Sequence, residues 1–470
     1  MTSKKLLLFA GSLALNGVAS FAMLAVLTRL LSPESYGLLG LCLSIATFVN
    51  AFLYQWVRAY ALRSLPSAST SQEVLIIRAV VISLAASTLA GLLLVLTADH
   101  LLARSLFPGV PYLLVLTLAL TQGIYEIVLA AYRSRDQDID FAVSASSRAI
   151  LSIALVSCAA YLTGSPIAVL IAISTSYFLV SAVFPRRTKL PISRSLEPRR
   201  SWKATGELKR GATYGLPLVF ATSLTLLNPV VSRAYVSSHG ETGVLATFVA
   251  LGDVVLLVIL NSLMGINLLL FNKITRSRDE GVPEVFAKCL EQYTAAIALT
   301  LVLCCACLFA LSPILLPLVL GDAVSPFASS YYGVSVLAAT LLAIKQFWVD
   351  QIYYLGRRTK SLALLSASGV AANVTCLLFL PINDLVARGF WAMCLANAFM
   401  IAVGVLASRR EAAAMRCTRY ILIAVASVLI GYGLSGWVNQ PPPGPQLLHF
   451  MCILPMAIYC YRKLRSVHEQ

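Results

Sequence analysis

Fourteen stretches of roughly 18 to 25 mostly apolar residues, parted by short polar breaks, occupy almost the whole of this 470-residue chain. Each is long enough to cross a hydrocarbon core of about 30 Å as a helix. A backbone inside hydrocarbon must satisfy its own hydrogen bonds, so the expected fold is all-α and polytopic. The spans are expected at 6–31, 38–61, 75–98, 110–132, 141–163, 166–185, 211–236, 243–271, 289–316, 331–355, 361–381, 387–408, 418–438 and 447–461. Only Thr163 to Ser165 separate the fifth from the sixth, which predicts a tight helical hairpin. With 59% hydrophobic and 12% charged residues, no segment is polar enough to build a separate soluble domain.

Cationic loops are retained on the cytoplasmic side. Starting from Lys4 and Lys5 inside, most of the 36 Lys and Arg fall on alternate loops, densest at 186–210, 357–360, 409–410 and 462–465. The outer side carries Arg104 and Arg388. One miscounted span would reverse every later loop, so the pattern predicts an even number of crossings with both termini cytoplasmic. The net charge of +16 is scattered over inner loops rather than gathered with stacking aromatics, which points to anionic lipid headgroups and excludes a nucleic-acid reader. The first 22 residues have the make-up of a signal peptide, but the apolar run continues to Leu31 and predicts a retained helix.

No cysteine of the eleven lies in an outer loop, so no disulfide framework is expected. Cys304, Cys305 and Cys307 cluster in an apolar helix with no His or carboxylate nearby, so they read as packing residues. No metal site and no cofactor are expected, and no phosphate-binding G-x-x-x-x-G-K-[ST] loop occurs.

The basic stretch 186–210, with Pro191 and Pro198, divides the chain into an N-terminal six-helix bundle at 1–185, a second six-helix bundle at 211–408 and two further spans with a tail at 409–470. The two bundles open alike. "LTRLLSPESYGLLGL" at 27–41 and "VSRAYVSSHGETGVLATF" at 231–248 each place a hydroxyl residue before an arginine, then a polar turn, a glycine and a new apolar run. Duplicated bundles of this kind enclose a central site open alternately to each side, which predicts a functional monomer.

These two segments, with "YGLPLVFATSLTLLNPVVSRAYVSSHGETGVLATF" at 214–248, resemble the bacterial polysaccharide (O-antigen and exopolysaccharide) flippases. That family shares a superfamily with the lipid II flippases and the multidrug and toxic-compound extruders. The resemblance implies export of an undecaprenyl-diphosphate-linked oligosaccharide across the bacterial cytoplasmic membrane, with a polysaccharide polymerase and glycosyltransferases as partners. One departure stands out: many relatives carry Asp-Arg near the end of the seventh span, where this chain has Ser232-Arg233. A role for the missing acid does not carry over.

A diphosphate cannot enter hydrocarbon unpaired, so such a carrier needs cations at membrane depth. Lys345 lies 12 residues before Arg357, about 18 Å from the inner face at 1.5 Å per residue. It either contacts phosphate or sugar, or pairs with a carboxylate from another span such as Asp253. Helical spacing puts Gln346 and Asp350 one turn apart on the neighbouring face. Glu126 and Arg148 reach similar depth on antiparallel neighbours, so an ion pair between them is expected. Arg58 is a candidate to receive diphosphate on entry or an arginine that snorkels at the inner face. Arg29 and Arg233 fall near the outer face, at matching places in the two bundles. Gly215, Pro217 and Asn228-Pro229 predict a hinge in the seventh span. Glu126, Asp253 and Asp350 are the acids available for coupling to protons or sodium, whereas membrane potential alone also favours outward movement of an anion.

Two other function classes stand beside this reading. A membrane-embedded polymerase or transferase would present acids, His or Arg in a large outer loop, and the outer loops here are short. A multidrug exporter would favour acids and aromatics over arginines in its cavity. A structural membrane partner is a further alternative, and it would tolerate neutral residues at 345 and 148.

Overall fold

The computed structural model describes residues 3–65, 70–101, 110–135, 137–183, 201–240, 242–279, 282–356, 358–407 and 412–435. Among these, thirteen helices follow the expected order: α1 Ser3–Leu30, α2 Pro33–Ser64, α3 Thr70–Leu101, α4 Tyr112–Ser134, α5 Asp138–Thr163, α6 Pro166–Val183, α7 Ser201–His239, α8 Thr242–Asp279, α9 Pro283–Gly321, α10 Ala328–Leu355, α11 Thr359–Phe379, α12 Leu385–Ala407 and α13 Ala412–Ser435. The protein is an all-α, multi-pass membrane protein. Ten of the helices, α2 to α6 and α8 to α12, are long and apolar enough to cross a membrane. α1 and α13 contribute shorter apolar stretches, Leu15–Leu30 and Thr418–Ile430. The fourteenth expected span, 447–461, lies outside the described residues, as does the basic linker up to residue 200.

Local chemistry sets the ends. Ser32 caps α2: its hydroxyl accepts from the Ser35 amide at 3.2 Å, and Pro33 takes the first helical position, where no amide donor is needed. The hairpin between α5 and α6 closes at Gly164, whose φ of 60° is the left-handed conformation open to glycine, and the Ser165 amide donates to the Thr163 hydroxyl. Pro313 and Pro317 do not end α9. The helix runs on to Gly321, where φ reaches 67°. Within the spans, hydroxyls donate to carbonyls one turn back, as Ser83 does to Ala79 at 2.7 Å and Thr340 to Val336 at 2.8 Å, which keeps these polar side chains satisfied in apolar surroundings.

The chain forms two compact units, Met1–Ala246 and Thr247–Gln470. In the first, α2 packs against α3, α4 and α7, while α5 packs against α1 and α6. Helix α7 thus packs with the helices of the first unit. In the second unit α9 meets α13 where the Tyr420 hydroxyl donates to Glu291 Oε1 at 2.7 Å, α11 packs along α12, and α10 is the most enclosed span, 94% buried over its apolar stretch.

Candidate functional site

Two groups of ionisable side chains occupy membrane depth in the first unit. α2 and α4 touch at Gly123, where a Cβ would lie 2.8 Å from Tyr54 Cγ, so only glycine lets the helices approach this closely. That contact sets the register. Arg58 lies one turn beyond Tyr54 and Glu126 one turn beyond Gly123, and Arg58 Nη1 donates to Glu126 Oε2 at 3.0 Å. The other carboxylate oxygen accepts from Asn50 Nδ2 at 3.2 Å and from Gln122 Nε2 at 3.1 Å. The arginine and glutamate side chains keep 34% and 22% of their surface exposed, so the pair is reachable.

Arg148 does not pair with Glu126, contrary to the expectation from depth. Its Nη2 donates to Asn16 Oδ1 on α1 at 2.9 Å and its Nη1 to the Tyr177 hydroxyl on α6 at 3.3 Å. The guanidinium also lies 5.2 Å from the Tyr177 ring centre and 6.0 Å from that of Tyr125 on α4. Successive helical residues point about 100° apart, so α4 presents Tyr125 to α5 and Glu126 to α2. Among the described residues no carboxylate forms a direct ion pair with Arg148, and its bonded partners are neutral.

The second unit holds its ionisable pair differently. Lys345 begins a five-residue π-helical segment, Lys345–Val349, inside α10. A π turn bonds residue i to i+5 and so brings i and i+5 together. The Asp350 amide accordingly donates to the Lys345 carbonyl, and Lys345 Nζ meets Asp350 Oδ2 at 3.1 Å. Asp350 therefore stands beside Lys345, not on the neighbouring face with Gln346. Ser366 on α11 receives a second bond from Nζ at 3.0 Å. The Tyr293 hydroxyl on α9 donates to the Phe347 carbonyl at 2.7 Å, and a Cβ on Gly404 of α12 would lie 2.6 Å from Val349 Cγ1. Three helices thus clamp the π turn, and Lys345 is 0% exposed.

The other candidates are more dispersed. Arg233 on α7 is buried and donates to the Gly40 carbonyl on α2 at 2.9 Å, whereas Arg29 is exposed and donates within its own helix to Ala25. Asp253 is half-buried on α8. α7 runs as one helix through Gly215, Pro217 and Pro229. Among the described residues no three His, Cys, Asp or Glu side chains gather as metal ligands. Several participants were not singled out from the sequence: Asn16, Asn50, Tyr125, Tyr177, Tyr293 and Ser366. The two asparagines had a signal, an amide inside an apolar run, while the tyrosines look like any others until the helices are packed.

The sequence matches no family model, and it matches no curated protein. The fold, however, is that of several solved structures. The lipid II flippase MurJ in an inward closed conformation is similar at a TM-score of 0.69 and 11% identity, over 98% of this chain and 98% of its own. The Vibrio cholerae MATE transporter VcmN gives 0.55 at 15% identity, over 88% of this chain and 98% of its own. A MOP superfamily transporter from Pyrococcus furiosus, described as having a binding pocket of reversed polarity that suggests a different function, gives 0.57 at 17% identity, over 89% and 99%. These are transporters, and at such identities the likeness establishes the fold.

Proposed function

We propose that this chain is a transporter that carries a polyprenyl-diphosphate-linked oligosaccharide from the inner to the outer leaflet of a bacterial cytoplasmic membrane by alternating access, for surface polysaccharide synthesis. The observation that carries the reading is the arginine pair of the first unit. Arg58 and Arg148 sit at membrane depth, both half-buried, and Arg148 has no acid to neutralise it among the described residues. Intramembrane cations face a wet pathway or a partner, and a diphosphate is the kind of headgroup that needs them. Arginine forks suit phosphate oxygens.

The structural likeness supports a lipid carrier over a drug exporter. MurJ is matched end to end, whereas the match to VcmN leaves about an eighth of this chain over, an amount equal to two further spans with their loops. A cationic drug would meet Arg148 with repulsion. The driving force we favour is the membrane potential, which yields about 2.3 kcal/mol per charge per 100 mV when an anion leaves a negative interior. In this reading the termini are cytoplasmic, one chain forms one pathway, and polymerase and glycosyltransferases act beside it.

The test is headgroup translocation in proteoliposomes. A fluorescent polyprenyl-diphosphate oligosaccharide should cross in the presence of the protein, faster under a potential that favours anion exit, while a cationic dye should not. Dye export without sugar-lipid movement, by folded protein and over several headgroups, would overturn the reading in favour of a drug exporter.

A further inference from the structure

The acceptor side of the Arg58 cluster is already filled, and what fills it is the protein's own carboxylate. Glu126 receives three donors: Arg58 Nη1 at 3.0 Å on one oxygen, Asn50 Nδ2 at 3.2 Å and Gln122 Nε2 at 3.1 Å on the other. One guanidinium and two neutral amides converging from α2 and α4 are what a phosphate oxygen asks for as well, since carboxylate and phosphate compete for the same charge-assisted donors. Arg133, exposed further along α4, is near enough to Arg58 for their charges to repel, while the Asp138 carboxylate offsets part of its charge. Glu126 is neither sealed nor rigidly built in. Its side chain keeps 22% of its surface exposed, and it hangs on three rotatable bonds.

We propose that Glu126 is an internal stand-in for the substrate anion: it occupies the cradle of Arg58, Asn50 and Gln122 while the carrier is empty, and it swings off when a diphosphate arrives. This rests on the reading of the chain as a carrier of diphosphate-linked lipid and adds a specificity device to it. Anions that bring a single weak charge do not displace the carboxylate, whereas a diphosphate, with more oxygens and more charge, does. Arg148, held by the neutral Asn16 and Tyr177, is a second cation with no acid bonded to it. The empty carrier thereby avoids an uncompensated Arg58 at membrane depth, which would be costly.

Calorimetric binding to the full-length protein in detergent tests this, with inorganic pyrophosphate and geranyl diphosphate as probes. Glu126→Gln keeps the shape and removes the competing charge, so it should bind at least tenfold tighter than wild type. Glu73→Gln removes an equal charge from the Arg135–Glu73 pair of the same unit and should leave affinity within about twofold. The gain should vanish in the Arg58→Gln/Glu126→Gln double variant. Tighter binding of both probes places recognition in the diphosphate, and tighter binding of geranyl diphosphate alone ties it to a lipid-borne anion; either supports the proposal. Wild-type binding with no gain in Glu126→Gln, or an equal gain in Glu73→Gln, overturns the stand-in role alone. No binding by any of the variants overturns the carrier reading with it. If Glu126→Gln does not fold, Glu126→Asp, one methylene shorter, should show a gain of about threefold, and no gain there counts against the proposal.

Discussion

Lys345–Asp350 and Arg58–Glu126 are both ion pairs at membrane depth with nearly equal separations, 3.1 and 3.0 Å, yet their surroundings are opposite. The lysine of the second unit has no exposed surface, whereas the arginine of the first keeps about a third of its own. The first unit pairs residues on two helices, α2 and α4, so any sliding of one past the other stretches the bond. The second unit pairs residues five apart on one helix, joined by a π turn that helix movements do not lengthen. A pair that must respond to a ligand is better built between elements, and a pair that must hold a backbone irregularity is better built within one. On this contrast we propose that Lys345, for all its depth, serves the architecture of α10, and that contact with the anion falls to the first unit.

The contrast breaks most sharply if the sealed pair proves dispensable. Removing one partner of a buried pair typically costs about 3–5 kcal/mol, because the other charge is left without compensation. Asp350→Ala and Lys345→Met should each lower the thermal unfolding midpoint strongly in detergent. The joint replacement Lys345→Met/Asp350→Leu should restore much of the loss, since the two charges go together. Single variants that unfold like wild type and lose sugar-lipid transport instead would return Lys345 to the pathway.

The next effect is on the register of the open pair. Gly123→Ala brings a methyl to 2.8 Å from Tyr54 Cγ and 2.9 Å from its Cβ, so α2 and α4 must part. Overpacking of this kind costs about 1–3 kcal/mol. It should also weaken diphosphate binding, because parting α2 from α4 carries Gln122 away from Arg58 and Asn50 and opens the cradle itself. Unchanged stability together with unchanged binding would show that the helices have slack there and that the register is set elsewhere.

Arg148→Gln should separate function from stability. Its partners, the Asn16 amide and the Tyr177 hydroxyl, are neutral, and a glutamine can satisfy part of them. Transport of the diphosphate-linked substrate should fall at least tenfold, equivalent to about 1.4 kcal/mol. The unfolding midpoint should move far less than in the Lys345 variants. A stability loss as large as theirs would place Arg148 with the sealed class.

Position along the helices was readable before packing, and direction around them was not. Counting 1.5 Å per residue put Arg148, Glu126 and Lys345 inside the membrane, because an unbroken apolar run fixes where its ends lie. Which neighbour each would meet depends on azimuth, and azimuth depends on contacts such as Gly123 against Tyr54 that come from distant parts of the chain. Hence Glu126 received Arg58 rather than Arg148. The π turn was hidden for a similar reason. Nothing in Lys-Gln-Phe-Trp-Val announces it, and its supports, Tyr293, Ser366 and Gly404, arrive from three other helices. The Thr163–Ser165 hairpin was legible because its signal, a gap of three residues between two apolar runs, is local.

The smallest predicted difference concerns the two arginines at corresponding places in the apparent repeat. Their sequence contexts match, but Arg233 is buried and donates across to the Gly40 carbonyl of α2, while Arg29 is exposed and donates to the Ala25 carbonyl of its own helix. A bond that ties two helices and is shielded from solvent contributes more than one that closes on its own turn, so Arg233→Ala should lower the unfolding midpoint by more than Arg29→Ala does. Charged hydrogen bonds contribute about 1.5–3 kcal/mol, and Arg233 belongs within that range. Equal effects would mean that the matching sequence contexts carry matching roles. Unequal effects would mean that the same short motif serves in one place as a tie between helices and in the other does not, because the neighbouring helix and not the motif decides what the arginine meets.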